Sequence, residues 1–187
     1  MYNGAIARSS KGRTTDSDPV NLGSIPSLAT MICNKLDTSV TIGPIDGTEI
    51  LASAQDIFNY ISPDFKNWGC DKPESPTPDI TVDVYEQTED AEYKNIFESI
   101  DQNIDHLVLT TPQIKSFIIH NAKDYILSTE EWTCFRFLFK ANDEFFVADV
   151  RILSDGNRDV RITRFLDESV RHAKYRHRII VPTLQHK

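Results

Sequence analysis

Between Thr133 and Phe165 the chain alternates apolar and polar residues with a period of two, and no other stretch restricts the fold as strongly. Phe135, Phe137 and Phe139 share one side of the first strand, leaving Cys134, Arg136, Leu138 and Lys140 on the other. The next strand divides Phe146, Ala148, Val150 and Ile152 from Phe145, Val147, Asp149 and Arg151, because successive side chains in a strand point to opposite faces. A turn over Ala141-Asn142-Asp143-Glu144 opposes Phe139 with Phe146 and Phe137 with Ala148, which keeps both apolar rows on the core side and sets Arg136 against Asp149. A slip of one residue would turn the phenylalanines outward. A third strand, Asp159 to Phe165, follows the turn signal Ser154-Asp155-Gly156-Asn157. Pairing Val150 with Val160 sets Asp149 opposite Arg161 and Arg151 opposite Asp159, whereas the other register of the same parity opposes Arg151 with Arg161. Opposite charges favour the first by a few tenths to about 1 kcal/mol per pair. The expectation is an antiparallel meander over 133–165 whose face away from the phenylalanines carries the row Arg136, Asp149, Arg161, one carboxylate between two guanidinium groups.

The remaining periodicities are mostly helical. Ile25, Leu28, Ile32 and Leu36 fit a short helix starting near Pro26, and Ser39 to Ile42 reads as a brief strand. Thr48 is expected to cap a second helix with Ile50, Ala54, Ile57, Phe58 and Ile61 on one stripe, stopped by Pro63. The loop from Ser62 to Asp79 has four prolines, and Phe65 and Trp68 should fold it back on the body, with residues 74–78 as a stiff connector. Asp79 to Glu86 alternates as a strand with Val82 and Val84 inward, and Tyr93, Ile96, Phe97 and Ile100 mark a short amphipathic helix. Thr110-Thr111-Pro112-Gln113 has the form of a capping box, opening a helix with Ile114, Phe117, Ile118, Ala122, Tyr125 and Ile126 inward. Ile179 to Val181 closes the chain as a last short strand. The fold class expected is α+β, with helices on one face of a three- to five-stranded, mainly antiparallel sheet. Residues 1–22 are expected as a flexible tail, 23–105 as an acidic helix-rich part, and 106–187 as a helix, the meander and an Arg-rich segment, the last two parts sharing one core.

Charge is divided along the chain. Up to residue 157 there are 25 acids against 12 Lys and Arg, and from 158 onward three against eight. The acidic middle, with Asp83, Glu86, Glu89 and Asp90, suits a partner protein with a basic surface. Arg171, Lys174 and Arg178 would form a basic ridge if a helix continued there and, with His172, Arg176 and His177, make the one candidate nucleic-acid surface, although pairing of that ridge with the acidic middle is the cheaper explanation. Two arginines sharing one carboxylate could equally leave donors for an anion, while the plainer reading of that row is a register-setting ladder.

No Walker loop, GxGxxG, GxSxG, HExxH, EF-hand or deaminase pattern occurs. His172 and His177 are five apart, where a helical zinc pair needs four, and Cys33, Cys70 and Cys134 show neither CxxC spacing nor a disulfide framework. A Cys–His nucleophile from Cys70 or Cys134 with His106 or His120 remains a third reading without a local activation signal. Apolar runs are far too short for a membrane span, and Met1-Tyr2-Asn3-Gly4 opens without a signal stretch, so a reduced, cytoplasmic protein is expected. Leu109 to Ile114, Phe137 to Lys140, Phe145 to Ala148, Tyr175 to Pro182 and Asp64 to Gly69 together resemble small uncharacterised bacterial proteins with a helix followed by a sheet meander, over residues 40–185. That resemblance implies the α+β architecture and no activity. The functional expectation is a non-enzymatic interaction module, an inhibitor, immunity-type or accessory subunit, without cofactor, metal or catalytic residues. Its candidate binding residues are Asp83, Glu86, Glu89, Asp90 and Trp68. The alternative, an anion- or nucleic-acid-binding module, uses Arg136, Arg161, Arg171 and Arg178, with Asp149 as the carboxylate between the first two.

Overall fold

The structure is a computed structural model that describes residues 32–128 and 130–184. Along them run the strands β1 (Cys33–Ile42), β2 (Tyr60–Ile61), β3 (Ile80–Gln87), β4 (Trp132–Ala141), β5 (Glu144–Leu153), β6 (Arg158–Arg164) and β7 (Arg178–Pro182). The α-helices are α1 (Asp64–Asn67), α2 (Tyr93–Glu98) and α3 (Thr111–His120). All seven strands join one open sheet in the order β1-β3-β7-β4-β5-β6-β2. It is antiparallel except at the β4–β7 and β2–β6 seams. The chain is therefore α+β, with seven strands where three to five were expected.

The meander has the register that its phenylalanines and charges dictate. Phe139 faces Phe146, Phe137 faces Ala148 and Arg136 faces Asp149 across β4 and β5. Asn142 and Asp143 make the turn with φ of 50° and 62°, two left-handed residues in succession, whose twist suits a two-residue hairpin. Across β5 and β6, Val150 faces Val160, Asp149 faces Arg161 and Arg151 faces Asp159.

α3 covers the phenylalanine face because its start is fixed and its apolar stripe has one place to go. Thr110 and Gln113 form the reciprocal capping box, with Pro112 in the first turn. The Glu74 carboxylate accepts from the Thr111 N–H at 2.8 Å and from its hydroxyl at 2.6 Å, a favourable anion at a helix N-terminus. Phe117 meets Phe135 and Phe137 with ring centroids 6.1 and 5.6 Å apart. The helix stops at His120, earlier than its apolar stripe suggests, and continues as a 3-10 turn over Ala122–Tyr125. The loop after Ser62 does fold back: Phe65 stacks on Phe139, and Trp68 on Phe146. The connector over 74–78 is tied down as well, since Glu74 N–H donates to the Gly47 carbonyl and Thr77 pairs with Ile45. Gly47, at φ +85°, has no room for a side chain, because a Cβ would sit 2.1 Å from the Glu74 carbonyl oxygen.

Three sequence expectations are corrected. Helices do not lie on one face only: the opposite face packs Leu138, Val147, Ile179 and Val181 against Tyr93, Ile96 and Phe97 of α2, with Leu107 and Phe165. Leu138 and Val147 occupy outward positions of the alternating pattern, and an apolar residue there signals a second layer. The helix expected over 25–36 is, from Cys33, the edge strand β1, held by β3 with a bulge between Lys35 and Ser39; residues 25–31 and the tail over 1–22 lie outside the described residues. The helix expected over 48–61 is only a 3-10 turn, Leu51–Ser53, before β2 runs parallel to β6. Thr48 gives its N–H and hydroxyl to the Asp46 carboxylate, both at 2.9 Å, so a local turn takes the place of a helix cap. Ile50, Leu51, Ala54 and Phe58 are nonetheless buried, as their stripe required. Strands β1 and β3, from the acidic part of the chain, lie in the same sheet as the meander.

Candidate functional site

The register of β3, β7, β4 and β5 sets a row of polar side chains on the face away from the phenylalanines. Arg136 donates from Nε to Asp149 Oδ1 at 3.2 Å and from a terminal nitrogen to Gln87 Oε1 at 2.6 Å. The Tyr93 hydroxyl donates to the other Asp149 oxygen, and the Cys134 thiol lies 3.6 Å from Oδ1. Gln87, at the end of β3, gives its amide N–H groups to the carbonyls of Glu89 and Arg171 at 2.8 and 2.7 Å. Arg171 lies over the Tyr93 ring, 4.1 Å from its centroid, and Arg136 is 5.3 Å from the same ring. Beside them His177 stacks on Trp132 at 5.7 Å, and the Arg151 guanidinium lies 5.2 Å from the Trp132 ring.

Arg136 and His177 are 3% and 4% exposed, so this is an interior cluster, while Trp132, Asp149, Arg151 and Arg171 are only partly buried and form its solvent side. Its charge is unbalanced toward the positive. Asp149 serves Arg136, Asp167 serves Arg171 at 2.8 Å, and among the described residues no ion pair joins Arg151 to an acid. Burial drives the His177 imidazole down to about 3, and Arg136, Arg151 and Arg171 push in the same direction. Burial likewise raises the Tyr93 hydroxyl well above its usual range, with the Asp149 charge adding to it. Among the described residues Arg151 Nε, Arg171 Nε and His177 Nδ1 are sealed from solvent without a hydrogen-bond partner. A buried polar atom left unpaired costs about 1–3 kcal/mol. A group that supplies acceptors there recovers that cost, and an oxyanion is made of acceptors.

The residues singled out in the sequence are sorted differently in space. Arg136, Asp149 and Arg171 come together. Arg161 stands opposite Asp149 but turns its guanidinium over the Tyr60 ring, 5.3 Å from the centroid, so the expected row of three closes as a pair. Arg178 points to the other face, where it donates to Glu86 and toward the Tyr125 carbonyl, and Trp68 is on that face too. A basic ridge over Arg171, Lys174 and Arg178 does not form, since only Ala173–Tyr175 makes a 3-10 turn. Among the acids, Asp83 accepts from Lys35 and Ser39 at 2.7 and 2.6 Å. Glu86 holds Arg176 and Arg178, and Asp90 accepts from His172 at 2.8 Å and the Ala173 N–H at 2.7 Å. Glu89 is exposed and, alone of the four, has no ion pair among the described residues. Glu86 with Arg176 and Arg178 thus ties the acidic middle of the sequence to its Arg-rich C-terminal segment along the β3–β7 seam.

Tyr93, Gln87, Arg151 and Trp132 complete the cluster and are not singled out as binding residues by the sequence, whereas His177 belongs there to the candidate basic surface. Arg151 was within reach, because the meander register places it on the same face as Arg136. Gln87 and His177 arrive through the β3–β7 pairing, which no local pattern announces. Burial raises the thiols of Cys33 and Cys70 to about 11 and that of Cys134 to about 12, the direction opposite to nucleophile activation. Among the described residues no three His, Cys, Asp or Glu side chains gather as a metal site, and no helix is long and apolar enough to cross a membrane. Compared with family models, curated proteins and solved structures, the chain matches none.

The depressed imidazole has a measurable consequence. Above pH about 6.5 His177 is neutral both folded and unfolded; below it the unfolded chain takes up a proton that the fold refuses, so stability falls with pH by up to about 1.4 kcal/mol per unit. Bonds from Lys35 and Ser39 outweigh the burial of Asp83, and those from Arg176 and Arg178 outweigh the burial of Glu86, holding both carboxyls low; their contribution is lost at still lower pH, as the fold's carboxylates protonate. Urea denaturation at pH 7.5, 6.5 and 5.5 should show the first decline, and His177→Phe should remove it. A flat profile in the parent chain would mean that His177 accepts its proton in the folded state.

Proposed function

We propose that this chain is a non-enzymatic recognition module that binds a small oxyanion through Arg136, Arg151 and Arg171. The observation that carries the reading is the set of Arg151 Nε, Arg171 Nε and His177 Nδ1, each without a hydrogen-bond partner among the described residues, in a cluster whose three guanidinium groups have two carboxylate partners. The raised thiols favour binding over covalent chemistry. Recognition of a basic protein through the acidic middle is supported less well, because Asp83, Glu86 and Asp90 are already engaged within the chain.

The test is calorimetric titration of the full chain with inorganic phosphate, sulfate and pyrophosphate at low ionic strength, alongside Arg151→Gln and Arg171→Gln. At least one of these anions should bind, and a ligand at a hundred times its Kd stabilises the fold by about 2.7 kcal/mol, visible as a raised Tm. Each substitution should weaken binding on the order of tenfold, the worth of one charge-assisted hydrogen bond. Absence of binding by all three anions, or binding unchanged in both variants, would overturn the reading.

A further inference from the structure

We infer that the groove between α3 and the segment 44–49 docks a basic segment of a partner protein, one that sets an aliphatic side chain next to Lys or Arg. One stripe of α3, with Ile114, Phe117 and Ile118, packs into the core against the sheet. Pro112, Lys115 and Ile119 recur at three and four residues on another stripe and wall an open groove of about 330 Å³, with Ile45, Asp46 and Glu49 across from them. Both walls are fixed to one connector. Ile45 and Thr77 exchange backbone hydrogen bonds at 2.9 Å, Gly47 accepts from the Glu74 N–H at 2.9 Å, and the Glu74 carboxylate holds the Thr111 N–H at the start of α3. A partner therefore meets a groove already formed, which lowers the cost of binding.

Charge and apolar surface together select the occupant. The Lys115 side chain is only 9% exposed, and its ammonium lies 2.9 Å from Glu49 and 3.9 Å from Asp56, carboxylates whose own side chains are 71% and 70% exposed. Two acids thus share one base, and among the described residues no ion pair joins Asp46 to another. With His120 uncharged, two negative charges remain beside Ile119, itself 41% exposed, so a fitting occupant brings positive charge and an apolar body at once. The volume is at the low end of the about 300–1,000 Å³ of small-molecule sites, and the groove is open, so it suits a side chain or two of a larger partner. Asp83, Glu86 and Asp90, where a basic partner was expected, are engaged within the chain, and the acids turned outward lie here instead. α3 is across the sheet from the arginine cluster, so the two sites do not depend on each other.

Titration of the full chain with a synthetic peptide of alternating leucine and arginine, its ends blocked, tests this by amide chemical shifts in nuclear magnetic resonance. Saturable shifts are expected to be largest over 44–49 and 115–120. Peptides with glutamate in place of arginine, or serine in place of leucine, should bind at least about tenfold more weakly. Asp46→Asn with Glu49→Gln should weaken binding of the first peptide on the order of fivefold and flatten its salt dependence, whereas Ile119→Ser should weaken it about tenfold and leave the salt dependence as it was. These side chains are exposed, so the fold tolerates their replacement. Absence of saturable shifts, shifts centred elsewhere, an acidic peptide that binds as tightly, or variants that bind like the parent chain would overturn the inference. Spermidine binding as tightly as the peptide would make the groove a small-polyamine site, and the same shifts on raising protein concentration alone would make it a contact between copies of this chain; either result overturns the inference too.

Discussion

Asp149→Ala is expected to lower the unfolding free energy by about 3–5 kcal/mol, the cost of leaving a buried cation without its counter-charge. Asp149 accepts from Arg136 and Tyr93, and the Arg136 side chain is only 4% exposed, so water has little access to compensate the guanidinium. Gln87 stays bonded to Arg136 but brings no charge. For a chain of this length the loss corresponds to a fall in Tm on the order of 10 °C, measurable by calorimetry or by urea denaturation. Replacing both partners, Arg136→Met with Asp149→Leu, should recover most of the stability, because the penalty belongs to the unpaired charge and not to the absence of the pair. An unchanged Tm in Asp149→Ala would mean that Arg136 reaches another acceptor, and the closed network described above would be wrong.

On the other face Phe117→Ala should cost about 3–5 kcal/mol for a different reason. Phe117 is fully buried, with its ring against Phe135, Phe137 and Tyr125, and the sheet beneath it is held in register by hydrogen bonds that prevent collapse into the void. The same denaturation experiment on Leu166→Ser, whose side chain is 72% exposed, should stay within about 0.5 kcal/mol. A Phe117 variant as mild as the Leu166 control would show that α3 is not anchored on the phenylalanine face.

The meander was legible because two independent signals agree on it. The phenylalanine parity allows only registers that keep the rings inside, and the Asp149–Arg161 and Arg151–Asp159 pairs select one of these. The capping box at Thr110 was legible for a similar reason, a local motif whose hydrogen bonds close within four residues. The failures lie where a helical period was read together with a single residue, Pro26 or Thr48, as the helix start. Ile50, Ala54 and Phe58 recur at helical spacing and are buried, yet the chain reaches the core with them through turns, since burial of the stripe does not require helical backbone and Asp46 had already captured Thr48. The candidate site was half visible. Arg136, Asp149, Arg171 and His177 stand out as charged or basic residues, while Gln87 and Tyr93 are unremarkable by sequence and join them only when strands far apart in the chain are zipped together.

Local order was thus determined by the sequence alone: the parity and register of β4, β5 and β6, the start of α3, the inward residues of β3 and α2. Tertiary structure decided the rest. It placed β7 parallel to β4 and between β3 and β4, covered the second face with α2, and sent Arg178 to Glu86 while Arg171 stayed with Tyr93. The physical reason is one of range. A strand's alternation and a helix's cap are settled by neighbours a few residues away, but the pairing of an acid near residue 86 with bases near 176 depends on which strands of the sheet meet, and there charges separated in the sequence pair in space.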